Sequence, residues 1–260
     1  MALAAVPAPI KAEVKNDPDD SKSKSNQSHL IHRVTSSPSL TNLKHPIRIL
    51  LTGFGPFKTH IVNPSFEILA GLHLEPFAAH AEIIIHPEPV RVAYRTVRGL
   101  LPSLFGIHSR LDYVIHLGVS NQPPSSFKLE KGAHRDGYER EDVDGLCGPE
   151  LEGKLEEGWE DWSKRDEYLH TSVDVDQVAR EVESKVQANH PNVIISGSDD
   201  AGRYLCEYTF YTSLAHFHQH RHVLFLHVPC GLETNDLLQG RIVVEQLIWA
   251  LIRCHASGGD

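Results

Sequence analysis

The chain has 260 residues, 40% of them hydrophobic and 23% charged, and a formal net charge of -9. That length and apolar content favour one domain of about 200 residues plus a tail over two domains. The acidic balance argues against a nucleic-acid-binding surface, and no stretch approaches the ~20 apolar residues of a membrane span, so a soluble protein is expected.

Four cysteines, Cys147, Cys206, Cys230 and Cys254, stand at unrelated spacings without a C-x-x-C pair, and no signal-peptide pattern opens the chain. Free thiols in a reducing cytoplasm are the expectation. Residues 1–44 are rich in Ser, Lys, Asp, Asn and Pro with little apolar periodicity, which predicts a disordered tail before a domain at 45–260.

Within that domain I47-R-I-L-L-T-G reads as a buried strand that ends in G53-F-G-P-F. Asn63 and Pro64 suit the N-cap and first position of a helix over residues 65–72. A second strand is predicted at 82–86. An amphipathic helix follows over 90–101, with Val92, Val97, Leu100 and Leu101 inward. Residues 113–117 form another buried strand closing on Gly118, and 127–133 a further strand or hairpin arm. The segment 141–170 is irregular and acidic, with Trp159 and Trp162; residues 147–167 within it are expected either to form a partly mobile flap whose negative field disfavours acidic groups nearby or to be a solvated insertion.

Valines at 175, 178, 182 and 186 mark a helix, and 193–195 a short buried strand. After Gly202, Tyr204, Leu205, Tyr208 and Tyr211 fall at helical spacing, with Asp199 or Asp200 as the expected cap. Cys206 thus sits in the first turn of a helix springing from a strand end, where free N–H groups and the helix dipole favour a thiolate. A strand at 223–228 and a helix from 235 to about 253, with Leu238, Ile242, Leu247, Ile248 and Leu251 inward, complete the domain.

Strands alternating with helices predict a single-domain three-layer α/β/α sandwich around a twisted, mainly parallel sheet. Its cleft would lie beyond the carboxyl ends of the strands, at Gly53–Phe57, Gly118 onward, Ser196–Cys206 and His227–Cys230. A thiol nucleophile requires a base and a group to orient it. His227, in L-F-L-H-V-P, leaves the strand after the Cys206 helix. The run H-F-H-Q-H-R-H (His216 to His222) reads as a solvated helix end, because no carboxylate or Cys ligand accompanies it at a metal spacing. No metal or cofactor is expected, and no G-x-x-x-x-G-K-[ST] supports a nucleotide.

The stretch S-G-S-D-D-A-G-R-Y-L-C-E-Y-T-F-Y-T-S-L resembles the nucleophile signature of the type I pyroglutamyl peptidases, the pyrrolidone-carboxylate peptidases, in their animal and fungal branch. T-G-F-G-P-F, L-G-V-S, L-E-K and H-V-P strengthen the resemblance, in the order acid, Cys, His. It implies a cysteine exopeptidase that releases N-terminal pyroglutamate from peptides through a thioester, with Cys206 as nucleophile, His227 as base and Glu130 orienting it. Between Gly118 and Glu130 the chain is one residue longer than the usual pattern, so Leu129 falls at the ungapped position. Leu cannot orient an imidazole, which makes Glu130 the chemical choice.

The resemblance further implies an oxyanion site at the Cys206 N–H and Arg140. Phe54 and Phe57 would wall the lactam, and backbone groups at Val119 and Leu205 would hold it. The altered 119–129 loop and Cys230 leave open a non-catalytic homologue that binds such N-termini. Nothing in the sequence speaks to oligomeric state.

Overall fold

The computed structural model describes residues 43, 45–58, 61–108, 110–148, 165–217 and 222–258. The expected tail, apart from Leu43, lies outside them, as do Trp159, Trp162 and most of the acidic segment, and His218 and His220 of the His-rich run. Leu43, read as tail, packs against the core.

In chain order the elements are β1 (Ile47–Gly53), α1 (Pro64–Ala70), a 3-10 turn (Glu75–Phe77), β2 (Ala81–Ile85), α2 (Tyr94–Ile107), β3 (Tyr113–Val119), β4 (Ser126–Glu130), β5 (Gly132–His134), β6 (Tyr168–His170), α3 (Val175–Gln187), β7 (Ile194–Ser198), α4 (Leu205–His216), β8 (Val223–Val228) and α5 (Thr234–Ala256). Six strands form a sheet in the order β2-β1-β3-β8-β4-β7. All neighbours are parallel except β4 and β8. β5 and β6 form a separate antiparallel pair. This is the three-layer α/β architecture that the alternating pattern predicts.

β1, β3 and β8 are apolar on both faces because helices cover both. One face packs against α1, α3 and α5 through residues such as Leu51, Leu117, Leu129, Leu226 and Val244. The other packs against α2 and α4 through Leu50, Val114, Phe225, Tyr94 and Phe210. α1 begins as predicted, with Asn63 accepting from the Ser65 N–H and Pro64 at the first position.

Six local expectations are corrected. The helix expected from Val90 starts at Tyr94, because Val90 is held in a bridge with Phe54 and the Tyr94 N–H is capped by the remote Asp142 Oδ2 at 2.8 Å. It also runs on to Ile107 through Pro102. Asp199 and Asp200 do not cap α4; the N-cap is Tyr204, and Asp200 Oδ1 instead accepts from the Gly202 N–H. β7 is an edge strand with Ile194 exposed, and Leu238 of α5 is also exposed rather than inward. The acidic segment is not irregular to its end, since Tyr168–His170 pairs with Gly132–His134.

Strand direction matters most for the site. β4 and β7 run opposite to the other four strands. Ser198, the end of β7, therefore lies beside Glu130, level with Phe225 rather than with His227. The chain reaches Cys206 by doubling back through residues 199–204, where Gly202 (φ 94°) and Arg203 (φ 46°) take left-handed conformations.

Candidate active site

Glu130, His227 and Cys206 meet above the sheet on its α2/α4 side. Cross-strand pairing sets the parity: His227 lies opposite Gly118 of β3 and Lys128 of β4. Lys128 and Glu130 thus share the face of His227, while Leu129 turns into the opposite core. Glu130 Oε1 and His227 Nδ1 are 2.7 Å apart, and the two residues are 0% and 4% exposed. A carboxylate accepts only, so Nδ1 carries the proton and Nε2 is left for a second partner.

The Cys206 sulfur neighbours the imidazole and interacts with it electrostatically. Burial by itself drives the His227 pKa down. The neighbouring Cys206 sulfur, together with Glu130, outweighs this and holds it up at about 9. The imidazole is therefore mostly imidazolium at neutral pH. Cys206 is the second residue of α4, where backbone N–H groups have no partner inside the helix.

A cavity of about 430 Å³ opens beside these groups, within the usual range for a small-molecule site. The eight residues that the resemblance implies for the site all line it: Phe54, Phe57, Val119, Glu130, Arg140, Leu205, Cys206 and His227. Phe54 follows β1 and is fixed by a hydrogen bond from its N–H to Ser65 Oγ. The Phe57 ring lies 5.4 Å from that of Tyr204. Among the described residues no group of three or more His, Cys, Asp or Glu is arranged to hold a metal.

The family described as "Putative pyroglutamyl peptidase PgaPase_1" matches residues 50–231. The chain belongs to the pyroglutamyl peptidase family. Pyroglutamyl-peptidase 1 of Homo sapiens is 35% identical over 181 residues, 70% of this chain and 78% of the human protein. The Rattus norvegicus protein of that name is 34% identical over 207 residues, 78% of this chain and 90% of its own length. A crystal structure of pyrrolidone carboxyl peptidase from Fervidobacterium islandicum AW-1 shares the fold, with TM-score 0.59 and 23% identity over 79% of this chain and 98% of that one.

Within this pyroglutamyl peptidase fold, Arg140 lines the cavity with its guanidinium 4.4 Å above the Tyr204 ring and Nη2 donating to the Gly202 carbonyl at 3.0 Å. Tyr204 went unnoticed in the sequence as more than a helix residue. It bridges Phe57 and Arg140 immediately before α4, the helix that carries Cys206. Glu207 was missed as well. It is fully buried; Oε1 accepts from the His134 N–H and contacts His134 Nδ1, and Oε2 accepts from the Arg203 N–H. An acidic residue in the first turn of a helix is the available signal, since it favours the positive dipole end.

Proposed function

We propose that this chain is a cysteine exopeptidase that cleaves the bond after an N-terminal pyroglutamyl residue. The observation that carries the reading is the buried 2.7 Å contact between His227 and Glu130, made beside Cys206 at the start of α4.

In this reading the apolar slot takes the neutral lactam ring between Phe54 and Phe57, with backbone groups of Val119 and Leu205 at its polar edge. The Cys206 thiolate attacks the pyroglutamyl carbonyl carbon, and the oxyanion is received by the Cys206 N–H with Arg140. Collapse breaks the C–N bond as the imidazolium passes its Nε2 proton to the departing amine. The neutral imidazole then takes a proton from water, whose oxygen attacks the thioester. Pyroglutamate leaves and the Cys206 sulfur is regenerated. Glu130 keeps Nδ1 protonated throughout and stabilises the imidazolium. An N-terminal proline lacks the lactam carbonyl, and a glutamyl residue would bring charge into an apolar slot.

Peptides bearing this N-terminus are the partners in this reading, without nucleic acid. All four cysteines are free, which suits a cytoplasmic enzyme. Among the described residues no helix is long and apolar enough to cross a membrane. Residues 45–260 are taken as the peptidase domain, so removing residues 1–40 leaves turnover and Tm unchanged. Hydrolysis of a fluorogenic pyroglutamyl amide, with and without a thiol alkylator, tests the whole reading. It fails if the purified protein does not turn the amide over, or does so equally well after Cys206 is alkylated.

A further inference from the structure

Lys128 pairs with His227 across the antiparallel β4–β8 ladder, on the face that carries Glu130. It is half-buried and lines the cavity. Residues directly opposed on one sheet face have Cβ atoms about 5 Å apart, so the lysine stem starts beside the imidazole. Among the described residues no ion pair includes its ammonium. The other charged lining groups are committed. Arg140 donates to the Gly202 carbonyl, lies over the Tyr204 ring and serves the oxyanion in the reading above, Asp200 accepts from the Gly202 N–H, and Glu130 holds His227.

Strand order fixes which end of a substrate Lys128 meets. This step rests on the peptidase reading above. The acyl ring lies over the ends of β1 and β3, at Phe54, Phe57 and Val119, and His227 on β8 reaches the leaving nitrogen. Strands are spaced ~4.8 Å apart, so the departing chain passes over β8 toward β4, the next strand in the sheet. The first leaving residue therefore comes up against an unpaired, half-buried cation.

We infer that Lys128 is a specificity-determining residue that receives a carboxylate on the leaving part of the substrate, a preference opposite in sign to the one expected from the acidic segment 147–167. That carboxylate is either the side chain of an acidic residue directly after pyroglutamyl or the free C-terminus of a pyroglutamyl dipeptide.

Two pairs of substrates separate the sources. Pyroglutamyl-Glu-amide against pyroglutamyl-Gln-amide reads the side chain, and pyroglutamyl-Ala against its amide reads the C-terminus. Wild type should favour the carboxylate member of at least one pair by about fivefold in kcat/KM at low salt, the scale of one partly exposed ion pair. That ratio should fall to one or below in Lys128→Met and persist in Lys128→Arg. Its decline with added salt in wild type tests the charge without any substitution, should the Met variant fold poorly. Ratios near one in both wild-type pairs, a preference for the neutral members, or a preference unchanged in Lys128→Met would each overturn the inference. Absence of turnover on all four peptides would instead remove the peptidase reading on which it rests.

Discussion

The Cys206 sulfur lies so close over Gly118 that a Cβ built on that glycine would come within 2.8 Å of it. The same atom would meet the Phe225 ring at 2.8 Å. Gly118 is thus the residue of β3 that lets the Cys206 helix settle onto the sheet beside His227.

Gly118→Ala should push the sulfur out of line with the imidazole, because neither the helix start nor the buried Phe225 can yield freely. We expect kcat to fall by about 100-fold, since misplacing a reacting atom by about 1 Å costs that much. Stability should drop by about 1–3 kcal/mol from overpacking. Near-normal kcat in the folded variant would show that the contact does not position the thiol.

Cys206→Ala should abolish turnover and leave the fold intact. The side chain is only partly buried at the start of a helix, where Ala is well tolerated. Circular dichroism and Tm should match wild type while the fluorogenic amide is left uncut. Iodoacetamide labelling of wild type should track inactivation at Cys206 ahead of Cys147, Cys230 and Cys254. Appreciable activity in the Ala variant would eliminate the thioester mechanism.

Glu130→Gln and Leu129→Ala should separate cleanly. The first keeps the shape but loses the charge that supports the imidazolium, so kcat should drop by about 100-fold or more with a smaller change in KM. The alkaline limb of the pH–rate profile, expected near pH 9 from the raised His227 pKa, should move down with it. The second variant opens a cavity in the α1/α3/α5 core and should cost about 2–5 kcal/mol of stability, with kcat per folded molecule little altered. An exchange of these phenotypes would mean that β4 is paired one residue out of register.

Stability should depend on pH at both ends through two buried histidines. His227 is raised from 6.5 to about 9, so its contribution is complete below about pH 6.5 and is lost as pH rises through 9. His116 is fully buried between Thr52 Oγ1 at 2.7 Å and Ser213 Oγ at 2.8 Å, and burial depresses it to about 3. Its contribution is present above pH 6.5 and is lost as pH falls toward 3, where the unfolded chain takes up the proton first. Denaturation midpoints from pH 4 to 10 should fall at both extremes. Glu130→Gln should alter the alkaline arm, and His116→Gln the acid arm. Wild-type midpoints that do not change with pH would contradict both assignments.

Much of the frame is legible in the sequence by itself. β8 has the predicted bounds and β1 the predicted run, because strands buried on both faces are written as continuous apolar stretches. Asn63–Pro64 announces the start of α1 through local hydrogen bonding and a fixed φ, which need no distant partner. The wording around Cys206, together with T-G-F-G-P-F and H-V-P, names the family before any coordinate is known. Tertiary structure alone decided what depends on pairing between distant segments. Side chains alternate along a strand, so only the pairing of β4 with β8 turns Glu130 toward His227 and Leu129 away. The same pairing reverses β4 and β7, forces the chain to double back before Cys206, and places Lys128 opposite the His227 imidazole. The start of α2 was set by the Phe54–Val90 bridge and by Asp142, contacts made across 36 and 48 residues of chain that overrode a valid helical period. Local propensity and motif determine which elements and which chemistry this chain carries. Non-local hydrogen-bond pairing determines which face each residue presents, and therefore which of them meet.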